Sequence, residues 1–313
     1  MERAIQVLQR LKGPVVPLNI CFTGDNEIDT SAMCRYVNWL CEQQVPVLLL
    51  TYGSSEFSAH SDEEIWRLTA ELAEAIGGRS LFIASTGLWH PEACRRFLRH
   101  ADQAGVDAVK VQINPLNLYT PDADLKRQVI QSYYDRILDA APIPLLLWVD
   151  GLASHPIEAI TELAKHPQVV GVKNDGDQFY FYYDLIRATA EEDFAVISGG
   201  QMRNFMFGYP LGSPAYLCTI APFRPDIALG LYDLLAARRF DEAWKTVIRY
   251  EEPWLKTAEA MDWLASIKTA IYLHGLFPND RVHPPYRSHA HEQRETIRQC
   301  LERVFDSIRS VDL

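Results

Sequence analysis

The sequence predicts an α/β chain folded as a (β/α)8 TIM barrel with additional C-terminal helices, and three observations carry that prediction. Eight short runs are apolar through their whole length instead of alternating with polar residues. Strands covered on both faces read that way, which marks a parallel sheet. A stretch of helical periodicity follows each run. The 313 residues are enough for one barrel-sized core with a remainder. The rival arrangement is an open doubly wound sheet, but the turn after the first run reads NICFTGDNE, without the GxGxxG cradle of a dinucleotide site.

The strand runs are 14–20 (PVVPLNI), 45–51 (VPVLLLT), 80–85 (SLFIAS), 107–113 (DAVKVQI), 143–149 (IPLLLWV), 169–173 (VVGVK), 194–198 (FAVIS) and 215–220 (AYLCTI). Helical patterns cover 30–42, 62–76, 91–104, 122–139, 156–165, 178–190 and 226–237, with a shorter segment at 201–208. In 62–76, Ile65, Leu68, Leu72 and Ile76 share one stripe, and acidic residues fill the first turn, where the helix dipole favours them. Pro91 stands at a first helical position, where its missing N–H is harmless. The expected division is a barrel over 1–240 and a helical extension over 241–313 packed on it, with helices around Trp254, Trp263 to Leu273 and Glu292 to Ile308.

Composition excludes several function classes. The chain has 30 Lys and Arg against 41 Asp and Glu, a formal charge of -11. That balance disfavours nucleic-acid binding, and the densest basic clusters, Arg95-Arg96 with Arg99 and Lys126-Arg127, are interrupted within helical patterns. Six scattered cysteines contain no CxxC pair and read as reduced thiols of a cytoplasmic protein. MERAIQVLQRLKG reads as a short amphipathic helix, not a signal peptide. No run approaches the roughly 20 apolar residues that span a bilayer, so no membrane partner is expected. His60, His90, His155, His274, His283 and His289 fall at no metal-ligand spacing, and neither metal nor cofactor is expected. The stripe Phe179 to Tyr183 suits helix packing or a subunit contact.

In such a barrel chemistry gathers where strands end and loops begin. Those ends bring together Thr51-Tyr52-Gly53-Ser54-Ser55-Glu56, Trp148-Val149-Asp150, Lys173-Asn174-Asp175 and Ser198-Gly199-Gly200. Lys173 ends the run VVGVK, where a strand enters a core. Desolvation penalises the charged form of an amine, and a neutral amine attacks a carbonyl to form a Schiff base. The plainer reading is a structural salt bridge from Lys173 to Asp175 or Asp150. Lys110, inside the fourth run, reads as an edge-of-layer or bottom-face residue. The hydroxyls and backbone N–H groups of YGSSE can hold a carboxylate, or they simply close their own turn. Gly199 and Gly200 leave room beside the lysine.

The order of these segments resembles the dihydrodipicolinate synthase and N-acetylneuraminate lyase family of class I, Schiff-base aldolases, from about residue 12 to about 290. VVPLNICF with DNEID stands where the family has a TPF-type strand end and a DG-x-ID turn. YGSSEF matches GTTGE, ASTG matches AGTG, and GVDAVKVQINP resembles GADAVLVVTPY. PLLLWVDG stands at the YNVPG segment, GVKNDGD at GIKExSxD, ISGG at SGDD, and IKTAIYLHGL at VKAALxxLGL. The resemblance implies that Lys173 is the nucleophile toward a 2-oxo acid such as pyruvate. It also implies that Gly53 and Ser54 stand where paired threonines bind the carboxylate and relay a proton, that Gly199 lines the pocket, and that the protein is a cytoplasmic homo-oligomer, a tetramer or dimer.

The departures are as informative. Trp148 stands in place of the proton-handling tyrosine, and an indole N–H donates but cannot act as a base. Gly53 lacks the first threonine's hydroxyl. Ala153 falls near the arginine that serves a dicarboxylic substrate, and INPLN lacks the tyrosine of the TPY segment. Glu56 is retained as a loop-fixing carboxylate. Losing a general acid–base group costs about 10²–10⁴-fold in rate, so lysine-pathway synthase activity is not expected unless Tyr52, Asp150, Asn174 or a water takes over. The site residues expected are therefore Lys173, Ser54 and Trp148 for catalysis, and Gly53, Ser55, Asp150, Asn174, Gly199 and Gly200 for substrate binding. The activity expected is a lysine-dependent aldolase, lyase or dehydratase acting on a 2-oxo acid such as pyruvate or a pyruvate-derived adduct. The alternative is a non-catalytic or regulatory protein that binds a small carboxylic acid on the same barrel.

Overall fold

The computed structural model describes residues 2–86, 90–112, 121–139, 141–149, 156–175, 178–306 and 308. Strands β1 (Gly13–Pro17), β2 (Val47–Leu49), β3 (Leu81–Thr86), β4 (Ala108–Gln112), β5 (Leu145–Val149), β6 (Val169–Asn174), β7 (Ala195–Ser198) and β8 (Ala215–Leu217) form a closed barrel. Each pairs in parallel with the next in chain order, and β8 pairs with β1. Each lies within a few residues of the run the sequence marks, and position 113 of the fourth run falls outside the described residues.

The helices are α1 (Glu2–Arg10), α2 (Thr30–Glu42), α3 (Asp62–Ile76), α4 (Pro91–Gln103), α5 (Ala123–Leu138), α6 (Ile157–Ala164), α7 (Phe179–Ala188), α8 (Gln201–Gly208) and α9 (Pro225–Ala236). Beyond them come α10 (Phe240–Thr246), a π-helical turn (Val247–Glu251), α11 (Glu252–Glu259), α12 (Trp263–Leu273) and α13 (His291–Phe305). Helix α3 starts as its sequence requires: Ser61 and Glu64 form a reciprocal capping box that satisfies backbone N–H groups at the first turn. Among the described residues no helix is long and apolar enough to cross a membrane.

Two apolar layers hold the barrel. Inside it, Val15, Leu49, Ile83, Leu146, Ile197 and Leu217 pack together, and Ala4, Val7 and Leu11 join them from α1 and the residue after it. Outside it, the other strand faces meet the surrounding helices in a single continuous cluster. The C-terminal helices belong to that outer layer through Trp254, which is fully buried against Phe223 and Phe305. Its indole N–H donates to Thr219 Oγ1 at 3.0 Å, tying α11 to the segment after β8.

One irregularity matters for the site. The β5–β6 register shifts at Leu145/Leu146, which pair with Val169 and Gly171, and beyond the shift Lys173 pairs with Trp148 and with Ile197 of β7. A Cβ on Gly171 would overlap the carbonyl of Ala195, so glycine is what lets β7 approach β6 here.

Candidate active site

At the carboxyl ends of the strands lies a cavity of about 290 Å³, lined among others by Gly53, Ser54, Trp148, Lys173, Asp175 and Gly199. Four of these, besides Lys173 itself, are residues that the sequence singled out: Gly53, Ser54, Trp148 and Gly199. Lys173 is buried, 5% exposed, and its Nζ is ion-paired and hydrogen-bonded to Asp175 Oδ2. The same oxygen accepts the indole N–H of Trp148 at 2.6 Å. The amine therefore has the carboxylate partner that the plainer reading anticipates, and it has an open cavity beside it as well.

Lys110 corrects the sequence reading. It is neither at a layer edge nor on the bottom face: it pairs with Leu146, a member of the inner cluster, and is 1% exposed. Its Nζ lies 3.7 Å from the centroid of the Trp148 ring, while Lys173 Nζ lies 5.7 Å from the same centroid. Among the described residues no carboxylate comes within ion-pairing reach of it. Burial, and secondarily the neighbouring Lys173 ammonium, push the Lys110 amine well below the ordinary lysine range. The run around it alternates, with Val109 and Val111 opposite Lys110, so periodicity separates two faces but does not say which of them is the inner one.

The loop from Thr51 to Glu56 is pinned on three sides. Ser55 Oγ donates to the Leu18 carbonyl at 2.6 Å and accepts from Thr51 N at 3.0 Å, so this serine fixes the turn and lies outside the cavity lining. Asn19 Nδ2 donates to the Ser54 carbonyl at 3.2 Å. Glu56, in a left-handed conformation at φ 52, binds Lys268 Nζ at 2.6 Å and accepts from His283 N at 2.7 Å. Held this way, the loop presents Gly53 and Ser54 to the cavity. The space beside Gly53 belongs to Trp263 of α12: a Cβ there would sit 3.6 Å from Trp263 Cζ2. An aromatic ring from the C-terminal helices thus forms part of the wall, which no local pattern near residue 53 announces.

Asn174 faces away from the lining as the strand alternates, and its carbonyl accepts Gly199 N at 2.8 Å. Gly200 is the residue before α8 and is likewise outside the lining. Asp150 lies outside the described residues. Gly199 is required for a steric reason. A Cβ there would overlap the Asp175 carboxylate and come within 2.8 Å of the Asn174 carbonyl. Gly199→Ala is expected to cost about 1–3 kcal/mol by overpacking, read as a lower denaturant midpoint, and to displace Asp175.

Three features escaped the sequence reading: the placement of Asp175 in the lining, the contribution of Gln201, and that of Trp263. A signal for Asp175 was present, because residues two apart along a strand point the same way, and Asp175 is two after Lys173. Gln201 adopts φ 72, and its Oε1 accepts Thr219 N at 2.9 Å. Glu251, in the π-turn, takes the N–H groups of Met202 at 2.5 Å and Arg203 at 2.9 Å, and so caps α8 from a distance.

Burial raises the Glu251 carboxyl from 4.5 to about 7 against the lowering effect of those two N–H groups. A folded-state value above the unfolded one means that the native protein binds the extra proton. The associated stability is complete below about pH 4.5 and lost as pH rises to about 7. The expected size is about 3 kcal/mol at roughly 1.4 kcal/mol per pH unit. Glu251→Gln is expected to remove that slope from a urea-midpoint profile recorded between those pH values.

A closed parallel barrel with an inward lysine at the end of β6, facing a cavity at the strands' carboxyl ends, has the architecture of a class I aldolase-type protein. The chain belongs to the dihydrodipicolinate synthetase family, which it matches over residues 10–304. It is 25% identical over 304 residues to an uncharacterized DapA-like lyase of Thermococcus onnurineus, covering 94% of this chain and all of that one. It is 24% identical over 236 residues to the N-acetylneuraminate lyase of Rhizobium meliloti, covering 75% of this chain and 76% of that one. The crystal structure of dihydrodipicolinate synthase from Oceanobacillus iheyensis superposes with a TM-score of 0.84 at 19% identity, covering 97% of this chain and 100% of that chain. Fold and family place the protein among the dihydrodipicolinate synthase-like lyases.

Proposed function

We propose that the protein is a Schiff-base lyase, aldolase or dehydratase in which Lys173 condenses with a 2-oxo acid such as pyruvate or a pyruvate-derived adduct. The observation that carries this reading is the buried Lys173 amine opening on a cavity of about 290 Å³. That volume is near the lower end, about 300 Å³, of ordinary ligand pockets, and it suits a small acid with a short substituent. Ser54 offers a hydroxyl to the substrate carboxylate, while Trp148, Trp263, Leu217 and Pro17 supply apolar stretches of the wall. An iminium on Lys173 would withdraw electrons from the adjacent carbon, which is what carbon–carbon cleavage, condensation and loss of water all require. A homo-oligomer is part of the same proposal, supported by the exposed aromatic rings of Phe179, Tyr180, Tyr183 and Phe207 on α7 and α8.

A second reading is supported by the Lys173–Asp175 ion pair. An amine held as an ammonium would bind a carboxylate without reacting, and the protein would then bind a small acid without turnover. One experiment separates the two. The protein is incubated with pyruvate and a panel of longer and hydroxylated 2-oxo acids, treated with borohydride, and read by intact mass and peptide mapping. A reduced adduct on Lys173 is the expected result. Saturable binding with no adduct from any member of the panel would favour the binding protein.

A further inference from the structure

Whatever reacts at Lys173 needs a group to move protons, and among the described residues the cavity offers few. Its lining hydroxyls, Thr51, Ser54 and Thr219, are too weakly basic. Burial holds the Cys218 thiol up at about 12, so it stays protonated. The Trp148 indole donates only. Among the described residues, Asp175 is the one carboxylate in the lining. Its side chain is 25% exposed, so it is neither sealed in the core nor loose in solvent.

We propose that Asp175 is the acid–base residue of this site, carrying protons from the Lys173 nitrogen to the substrate carbonyl oxygen, with Trp148 as the positioning residue that aims its carboxylate. The proposal rests on the Schiff-base reading above. It is carried by one juxtaposition: Asp175 Oδ2 accepts from both Lys173 Nζ and Trp148 Nε1, beside a cavity and over a glycine that leaves it room. The indole contact does not involve the amine, so it can hold the carboxylate in place when the amine turns to the substrate.

The steps balance. Asp175 takes one proton from the Lys173 ammonium. The freed nitrogen lone pair forms the bond to C2 of the 2-oxo acid, and the C2–O π pair moves onto oxygen, which receives that proton from Asp175. Asp175 then takes a second nitrogen proton. As the nitrogen pair forms the C=N double bond, the C2–O bond breaks, and the departing hydroxyl leaves as water with the second proton. One proton remains on the iminium nitrogen, the total charge is unchanged, and Asp175 ends as it began, a carboxylate.

The test discriminates because simple ion pairing predicts the opposite outcome. Two ammonium-capable groups lie near the carboxylate, Lys173 in direct contact and Lys110 over the Trp148 ring. If Asp175 only stabilises the charged amine, Asp175→Asn yields more neutral Lys173, and adduct formation is unchanged or faster. If Asp175 carries protons, the rate of borohydride-trapped adduct formation with pyruvate or the most reactive acid of the panel falls by about 10²-fold or more. Formate should then restore part of the rate in Asp175→Ala, by supplying a carboxylate in the vacated space. Trp148→Phe, which removes the N–H donor together with part of the wall and keeps Asp175, should slow the reaction less than Asp175→Asn and shift the acid limb of its pH profile. Adduct formation by Asp175→Asn at the wild-type rate overturns the proposal and leaves the Schiff-base reading standing. Absence of any adduct in the wild type overturns both.

Discussion

Lys173→Ala is expected to lose the borohydride-trapped adduct altogether and to lower any turnover of a 2-oxo acid by about 10⁴-fold or more, since no other step can replace a missing covalent nucleophile. The presence of a second buried amine makes this variant decisive. Lys110 lies against the Trp148 ring, one layer deeper in the barrel. An adduct that persists in Lys173→Ala and maps to Lys110 would refute the assignment. Lys173→Arg is the companion variant. It keeps the positive charge opposite Asp175 but cannot supply a neutral amine at any ordinary pH. Equal inactivity of the two variants would show that the nitrogen's reactivity is what matters, and retained adduct formation in either would show the reverse.

The largest expected effect on stability comes from the pair that fixes the Thr51–Glu56 loop. Lys268 and Glu56 are both fully buried, 2.6 Å apart, and Lys268 Nζ also lies 4.3 Å from the Phe22 ring centroid. Burial depresses the Lys268 amine in spite of the attraction of Glu56, so the pair is held against a desolvation penalty. Lys268→Met removes one partner and leaves an uncompensated carboxylate in the core. That is expected to cost about 3–5 kcal/mol, read as a lower urea midpoint. The double change Glu56→Gln with Lys268→Met should recover most of the loss, because no buried charge is then left alone. If the single variant unfolds at the wild-type midpoint, the pair contributes nothing to the fold. The same single change should also slow adduct formation at Lys173, since Ser54 sits on the loop that the pair anchors.

Much of the architecture was legible because parallel strands covered on both faces leave uninterrupted apolar runs, and all eight strands lie at such runs. The same property limited what could be read. The run at 215–220 stays apolar, yet β8 ends at Leu217, and Thr219 leaves the ladder to bond Gln201 and Trp254. Apolarity there reports burial and not pairing. In the fourth run Lys110 alternates with Val109 and Val111, and when both faces are covered, alternation does not say which one is the barrel interior. Lys173 was legible because an amine at a strand end needs a reason to be there. Asp175 was visible as a salt-bridge partner, but its place in the cavity wall depends on Gly199, which comes from a different strand and leaves it the space. Trp263 was out of reach of local reasoning, because α12 arrives at Gly53 from some two hundred residues further along the chain.

The amine and its carboxylate are separated by a single residue on one stretch of backbone at the end of β6. Their separation along the chain is therefore set by covalent bonds, while Trp148 of β5 and Gly199 after β7 place the carboxylate between them. Rim loops that carry neither of those two neighbours can be lengthened, shortened or exchanged to fit a new substrate without pulling the amine and carboxylate out of alignment. A relay whose members come from different strands has no such protection. This barrel would accordingly tolerate redesign of its rim wherever Trp148 and Gly199 are kept.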